Sequence, residues 1–80
     1  MPIFFFNIAT RTTIIKDDEG SDFANLAEAH HEAIEDARGL MSAAILQGRD
    51  ISHRHIEICD GDGAVLLKLP FCEAFEPATD

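Results

Sequence analysis

The sequence predicts an α+β fold, a two-layer ββαββ domain with one helix packed on a four-stranded, mostly antiparallel sheet. Three observations predict it. Ile3-Phe4-Phe5-Phe6-Asn7-Ile8 is a short aromatic and β-branched run that reads as a strand. From Leu26 to Ala44, apolar residues recur at three- and four-residue steps, the period of a helix face. Arg54 to Cys59 alternates and is joined through Asp60-Gly61-Asp62-Gly63 to Ala64–Leu69, which reads as a hairpin. A chain of 80 residues holds one core. Residues 1–76 are therefore read as a single ββαββ domain, and 77–80 as a frayed C-terminal tail.

The first strand is apolar on both parities, which suggests a central strand or one covered on its outer face. Thr12–Ile15 reads as the second strand, with Ala9–Arg11 as the tight connection between them. Asp17-Asp18-Glu19-Gly20-Ser21 then stops the sheet. Asn25 followed by Glu28 gives a capping-box-like start to the helix. Leu26, Ala29, Ala33, Ala37, Leu40 and Ala44 form its inward face, flanked by Ile34, Met41 and Ile45, and the alanines let it lie close on a sheet. Gly39 reads as a point of close backbone approach, and Gly48 as the helix stop with Arg49 near the negative end of the dipole. In the hairpin, Val65, Leu67 and Leu69 are expected to join Ile56 and Ile58 in the core. Leu66 and Lys68 then share the outer face with His55 and Glu57, and Pro70 ends the strand. Order 2-1-3-4 makes all neighbours antiparallel and is preferred over 2-1-4-3, which contains a parallel pair.

Six Lys and Arg against fifteen Asp and Glu give a net charge of −9. The six cations are scattered, which speaks against nucleic acid and anionic membrane as ligands. The apolar runs fall far short of the ~20 residues that span a bilayer, and no signal peptide is recognised. Cys59 and Cys72 form no Cys-x-x-Cys pair and read as reduced thiols, so a cytoplasmic location is expected.

Met1-Pro2, Phe5-Phe6, Asp17-Asp18-Glu19-Gly20, the Ala-rich helix, Asp60 with Gly63 and Leu66, and Leu69-Pro70-Phe71 occur in this order along nearly the whole chain. In this set the chain resembles a family of short bacterial proteins described only as a domain of unknown function. The family pattern would place a His where Asn7 stands and an Asp-Gly turn where Thr10-Arg11 stands. The resemblance implies a small soluble bacterial domain and transfers no active site.

His53, His55, Glu57 and Cys59 fall at a two-residue period and are expected on one sheet face. His-x-His on a strand presents two imidazoles to one metal. Face neighbours along a strand lie about 6.5 Å apart, so Cys59 is too distant for the same shell. His53 and His55 are thus the candidate metal ligands. The plainer reading is a solvated outer face with Glu57 or His55 opposite Lys68. Glu28-x-x-His31 is half of a di-metal motif without a second helix to complete it. It reads as the solvated side of the helix, with Glu35 pairing Arg38 or His31. Asp60–Gly63 lacks the acidic twelfth ligand of a calcium loop, since Phe71 stands there.

No nucleophile elbow or glycine-rich phosphate loop is present, and a two-layer domain is expected to leave little room for a pocket of ~300 Å³ or more. The reading is therefore a non-enzymatic interaction module without a cofactor. It is expected to self-associate as a homodimer, with another, more basic protein as a further partner. A metal-binding or metal-sensing protein using His53 and His55 is the alternative.

Overall fold

The computed structural model describes residues 2–79. Met1 of the opening Met1-Pro2 pair and Asp80 of the expected tail lie outside it. Five strands and one long helix follow in order: β1 (Ile3–Ala9), β2 (Ile14–Ile15), β3 (Ser21–Asp22), α1 (Leu26–Leu46), β4 (His55–Cys59) and β5 (Val65–Pro70). A 3-10 turn over Phe71–Glu73 closes the fold. The sheet order is β2-β1-β4-β5 with all pairs antiparallel, the order preferred from sequence. The fifth strand was not expected. β3 returns to the edge of β1 already used by β2, pairing Ile3 with Asp22 and Phe4 with Ser21.

Residues 16–20 leave that edge between the two short pairings, and side chains replace the missing ladder. The Asp17 carboxylate accepts the Phe6 N–H at 3.0 Å, and Asn7 Oδ1 accepts the Asp17 N–H at 2.9 Å. The other Asp17 oxygen accepts the N–H groups of Glu19 and Gly20. Burial pushes the Asp17 carboxyl up, but these three backbone donors prevail and hold it below the usual carboxylate range. The acidic run therefore fastens the sheet edge rather than ending the sheet.

The helix starts and stops where its caps dictate. Asn25 Oδ1 accepts the Glu28 N–H at 2.9 Å, while Glu28 reaches back to the Ala24 N–H at 3.4 Å. At the far end, Gly48 N–H bonds to Ile45 O and Arg49 N–H to Ala44 O, a Schellman closure. Ala29, Ala33 and Ala37 are fully buried, so the backbone lies close on the sheet. The helix runs over β4, β5 and the 3-10 turn rather than over β1.

That lateral placement corrects two expectations. Leu40 is 41% exposed, because it faces the space beside the helix. A β-carbon on Gly39 would meet nothing within 4 Å, so no close approach occurs there.

The core consists of Phe4, Ile56, Ile58, Leu69 and Phe71 under the helix alanines, joined by Ile51 and Ala74. Each fully buried large side chain contributes roughly 1.5–3 kcal/mol relative to exposure. Phe23 covers only part of the β1 surface that the helix leaves bare. Its ring stacks on Phe6 at 5.6 Å between centroids and lies tilted against Phe4 at 6.1 Å.

The hairpin turn carries three residues, Gly61 to Gly63. Gly63 N–H bonds to Asp60 O, Asp60 N–H bonds to Ala64 O, and Gly63 adopts φ +85. This odd loop pairs Cys59 with Val65, and an irregularity next to it restores Ile58 to Leu67 and Ile56 to Leu69. Leu69 reaches the core and Leu67 packs against it as expected, whereas Val65 is 46% exposed.

Candidate functional site

On the face away from the helix, the register aligns Asn7 with Glu57 and Glu57 with Lys68. Glu57 Oε2 lies 3.4 Å from His55 Nε2 and 3.9 Å from Lys68 Nζ, so the cross-strand polar pair read from the sequence is present. Asn7 is buried although it points outward, because the Asp17 loop is tied to it. Its Nδ2 donates to Cys59 Sγ at 3.6 Å. Burial pushes the Cys59 thiol up, and the Glu57 carboxylate adds to the effect. A thiol so placed stays protonated and is a poor nucleophile. Cys59 and Cys72 are both free, the first buried and the second exposed.

His53 does not belong to this stripe. It sits exposed in the turn before β4, which begins at His55. The four-residue stripe expected from the two-residue period therefore shortens to His55, Glu57 and Cys59. The period had been extended backwards past the strand's start. Among the described residues, no group of three or more His, Cys, Asp or Glu side chains is arranged to hold a metal ion. On the helix, His31 pairs with Glu35 at 3.6 Å, while Arg38 instead donates from Nε to the Ala74 carbonyl at 2.6 Å.

Two surfaces remain open for recognition. The first is the outer edge of β5, a strand whose only described partner is β4 and whose Val65 and Leu66 are exposed. The second is a groove of about 730 Å³ between α1 and the β1–β3 side of the sheet. Its existence overturns the expectation that a two-layer domain leaves little such room; the off-centre helix opens it. Phe6, Ile8 and Leu40 line its floor, and Asp22, Glu32, Glu35 and Asp36 stand along its walls. The sequence places the helix acids on a solvated face, and the structure sets Glu32, Glu35 and Asp36 of that face beside a cavity. The available signal was the surplus of acids on the face beside Leu40.

Crowding leaves a mark on Asp36. Partial burial, a hydrogen bond and charge from Glu32, and the charge of Glu35 push its carboxyl up to about 6. A raised folded value means that ionisation costs stability. The penalty is absent below the unfolded value near 3.8 and grows as pH rises through about 6. Because Asp36 is largely solvent-facing, screening reduces the effect to about 1 kcal/mol or less. Asp36→Asn is expected to raise the melting temperature by about 4–8 °C per kcal/mol at pH 8 and by nothing at pH 3.5. Thermal unfolding followed by circular dichroism at both pH values checks this, and an equal gain at both would refute the account.

Among the described residues, no helix is long and apolar enough to cross a membrane. No curated protein and no solved structure matches the chain. One family model does, over residues 3–72, which takes in every strand and the helix from the start of β1 to the 3-10 turn. The chain therefore belongs to the family described as Domain of unknown function (DUF6894).

Proposed function

We propose that the domain is a non-enzymatic interaction module that associates with a second copy of itself. The observation that carries this reading is the free edge of β5. Val65 and Leu66 are 46% and 43% exposed on a strand that has no described partner on its outer side. An open, apolar edge offers unpaired backbone donors and acceptors to an identical edge related by a two-fold axis. Pro70 lacks an N–H and limits the usable stretch to the residues before it. Ile3 is also exposed and Phe5 half-buried on the sheet's outer face, extending the apolar surface towards β1. Two chains of net charge −9 repel each other, so association is expected to strengthen with added salt.

Sedimentation velocity from low to high micromolar concentration tests the reading. The mass is expected to rise from that of one 8.8 kDa chain towards two, and Leu66→Glu is expected to hold the chain at one. A strict monomer at high micromolar concentration and moderate salt would sink the proposal. Treatment with a chelator separates it from the metal-binding alternative, because edge pairing requires no ion.

A further inference from the structure

We propose that the groove between α1 and β1 is a docking site for a cationic, amphipathic peptide segment of a partner protein. Apolar side chains of that segment would rest on the floor, and its Lys or Arg side chains would meet the carboxylates of the walls. This goes beyond self-association through β5 and uses the opposite side of the sheet.

Three observations support the assignment. The floor is apolar and accessible: Phe6 and Ile8 are half-buried and Leu40 is exposed, because the helix lies over β4 and β5 instead of covering β1. The volume, about 730 Å³, lies within the ~300–1,000 Å³ of ordinary binding clefts. The walls carry one sign of charge only. Glu32, Glu35 and Asp36 project from the helix and Asp22 from β3, and no Lys or Arg lines the groove among the described residues. Asp17 also borders it, but its oxygens are already engaged by backbone N–H groups. Charge complementarity therefore selects a cation, and the apolar floor selects one carried on an amphipathic segment rather than a free ion.

The groups facing Asp36 set a pH dependence. They are Glu32 and Glu35 on its own helix, the latter paired with His31, with Asp17 and Asp22 along the same groove. All the carboxylates favour a bound cation, and that cation favours the ionised form of Asp36. Binding is thus expected to strengthen as pH rises through about 6.

The probe is a fluorescein-labelled peptide of alternating Lys and Leu, with an oligolysine of equal charge and a Glu–Leu peptide as comparisons. Fluorescence anisotropy on the full chain is expected to show saturable binding of the Lys–Leu peptide alone. The Glu32→Gln, Asp36→Asn double variant is expected to weaken it about tenfold. Leu40→Gln is expected to weaken the Lys–Leu peptide without altering the faint oligolysine signal. Leu66→Glu, which tests the β5 edge, is expected to leave peptide binding intact, so failure of one proposal is distinguishable from failure of the other. The groove variants alter exposed positions (Asp36 and Leu40) and one half-buried position (Glu32), and their melting curves verify that they fold. Oligolysine binding as tightly as the Lys–Leu peptide would overturn the proposal in favour of undirected attraction to an acidic chain. Unchanged affinity in both groove variants would overturn it as well.

Discussion

Replacing Phe71 by alanine is expected to remove a large share of the stability of this domain. The ring is fully buried at the junction of β5 and the 3-10 turn, and its backbone N–H bonds to Arg54 O at 2.9 Å. It therefore closes the core at the end where the chain leaves the sheet and passes under the helix. Truncating a buried Phe to Ala costs about 3–5 kcal/mol, part lost transfer energy and part residual cavity. A domain of 80 residues has only about 4–12 kcal/mol in total. The variant is expected to unfold at a much lower urea concentration with an unchanged slope, or to be unfolded at the outset. A loss below about 1 kcal/mol would mean that the ring is not packed as described. Phe75→Ala is the comparison: that ring is half exposed, and its loss should be small.

Gly20→Ala is expected to be the most damaging single-methyl change in the chain. Gly20 has φ +70, a left-handed conformation that costs an L-residue about 1–2 kcal/mol. A β-carbon there would also lie 2.7 Å from Ile3 Cγ2, 2.9 Å from Phe5 Cε2 and 3.1 Å from the Phe4 carbonyl oxygen. Side chains on a strand can shift a little, but the carbonyl belongs to β1 itself. The combined cost is expected to be about 2–4 kcal/mol. Gly63→Ala isolates the backbone part, since Gly63 has φ +85 with open space around it. Urea unfolding of both variants checks the argument, and equal losses at the two positions would show that the contacts at Gly20 contribute nothing.

These two residues also mark the boundary of what could be read in advance. The acidic Asp17–Gly20 run was legible as a turn, because Asx side chains bond backbone N–H groups two and three residues onward. Its engagement of Phe6 and Asn7 was not, since neither is near in sequence. β3 was invisible for the same reason. Ser21 and Asp22 have little strand propensity and pair only because the loop returns them to a free edge. Val65 falls outside the core because the loop has three residues and a compensating irregularity follows it, which strict alternation along the strand does not reveal. Placing His53 in the strand stripe extended an alternation beyond the point where the backbone is extended. On the outer face, the Glu57 and Lys68 pair was legible from parity alone, and it is there.

By itself, the sequence determined the class of fold, the helix with both of its ends and the two main hairpins, and it favoured the observed order of the four main strands over one alternative. Each of these depends on local signals: periodicity, caps, turn residues and the parity of apolar positions. Only the tertiary structure decided where the helix lies across the sheet, and with that which apolar residues stay uncovered. Ala29, Ala33 and Ala37 announce close packing but not the strands they pack upon, because the depth of an alanine face does not select a lateral position. The weight of Ile56, Ile58, Leu69 and Phe71 draws the helix over β4 and β5. The groove above β1, with its apolar floor and acidic walls, is what that displacement leaves open.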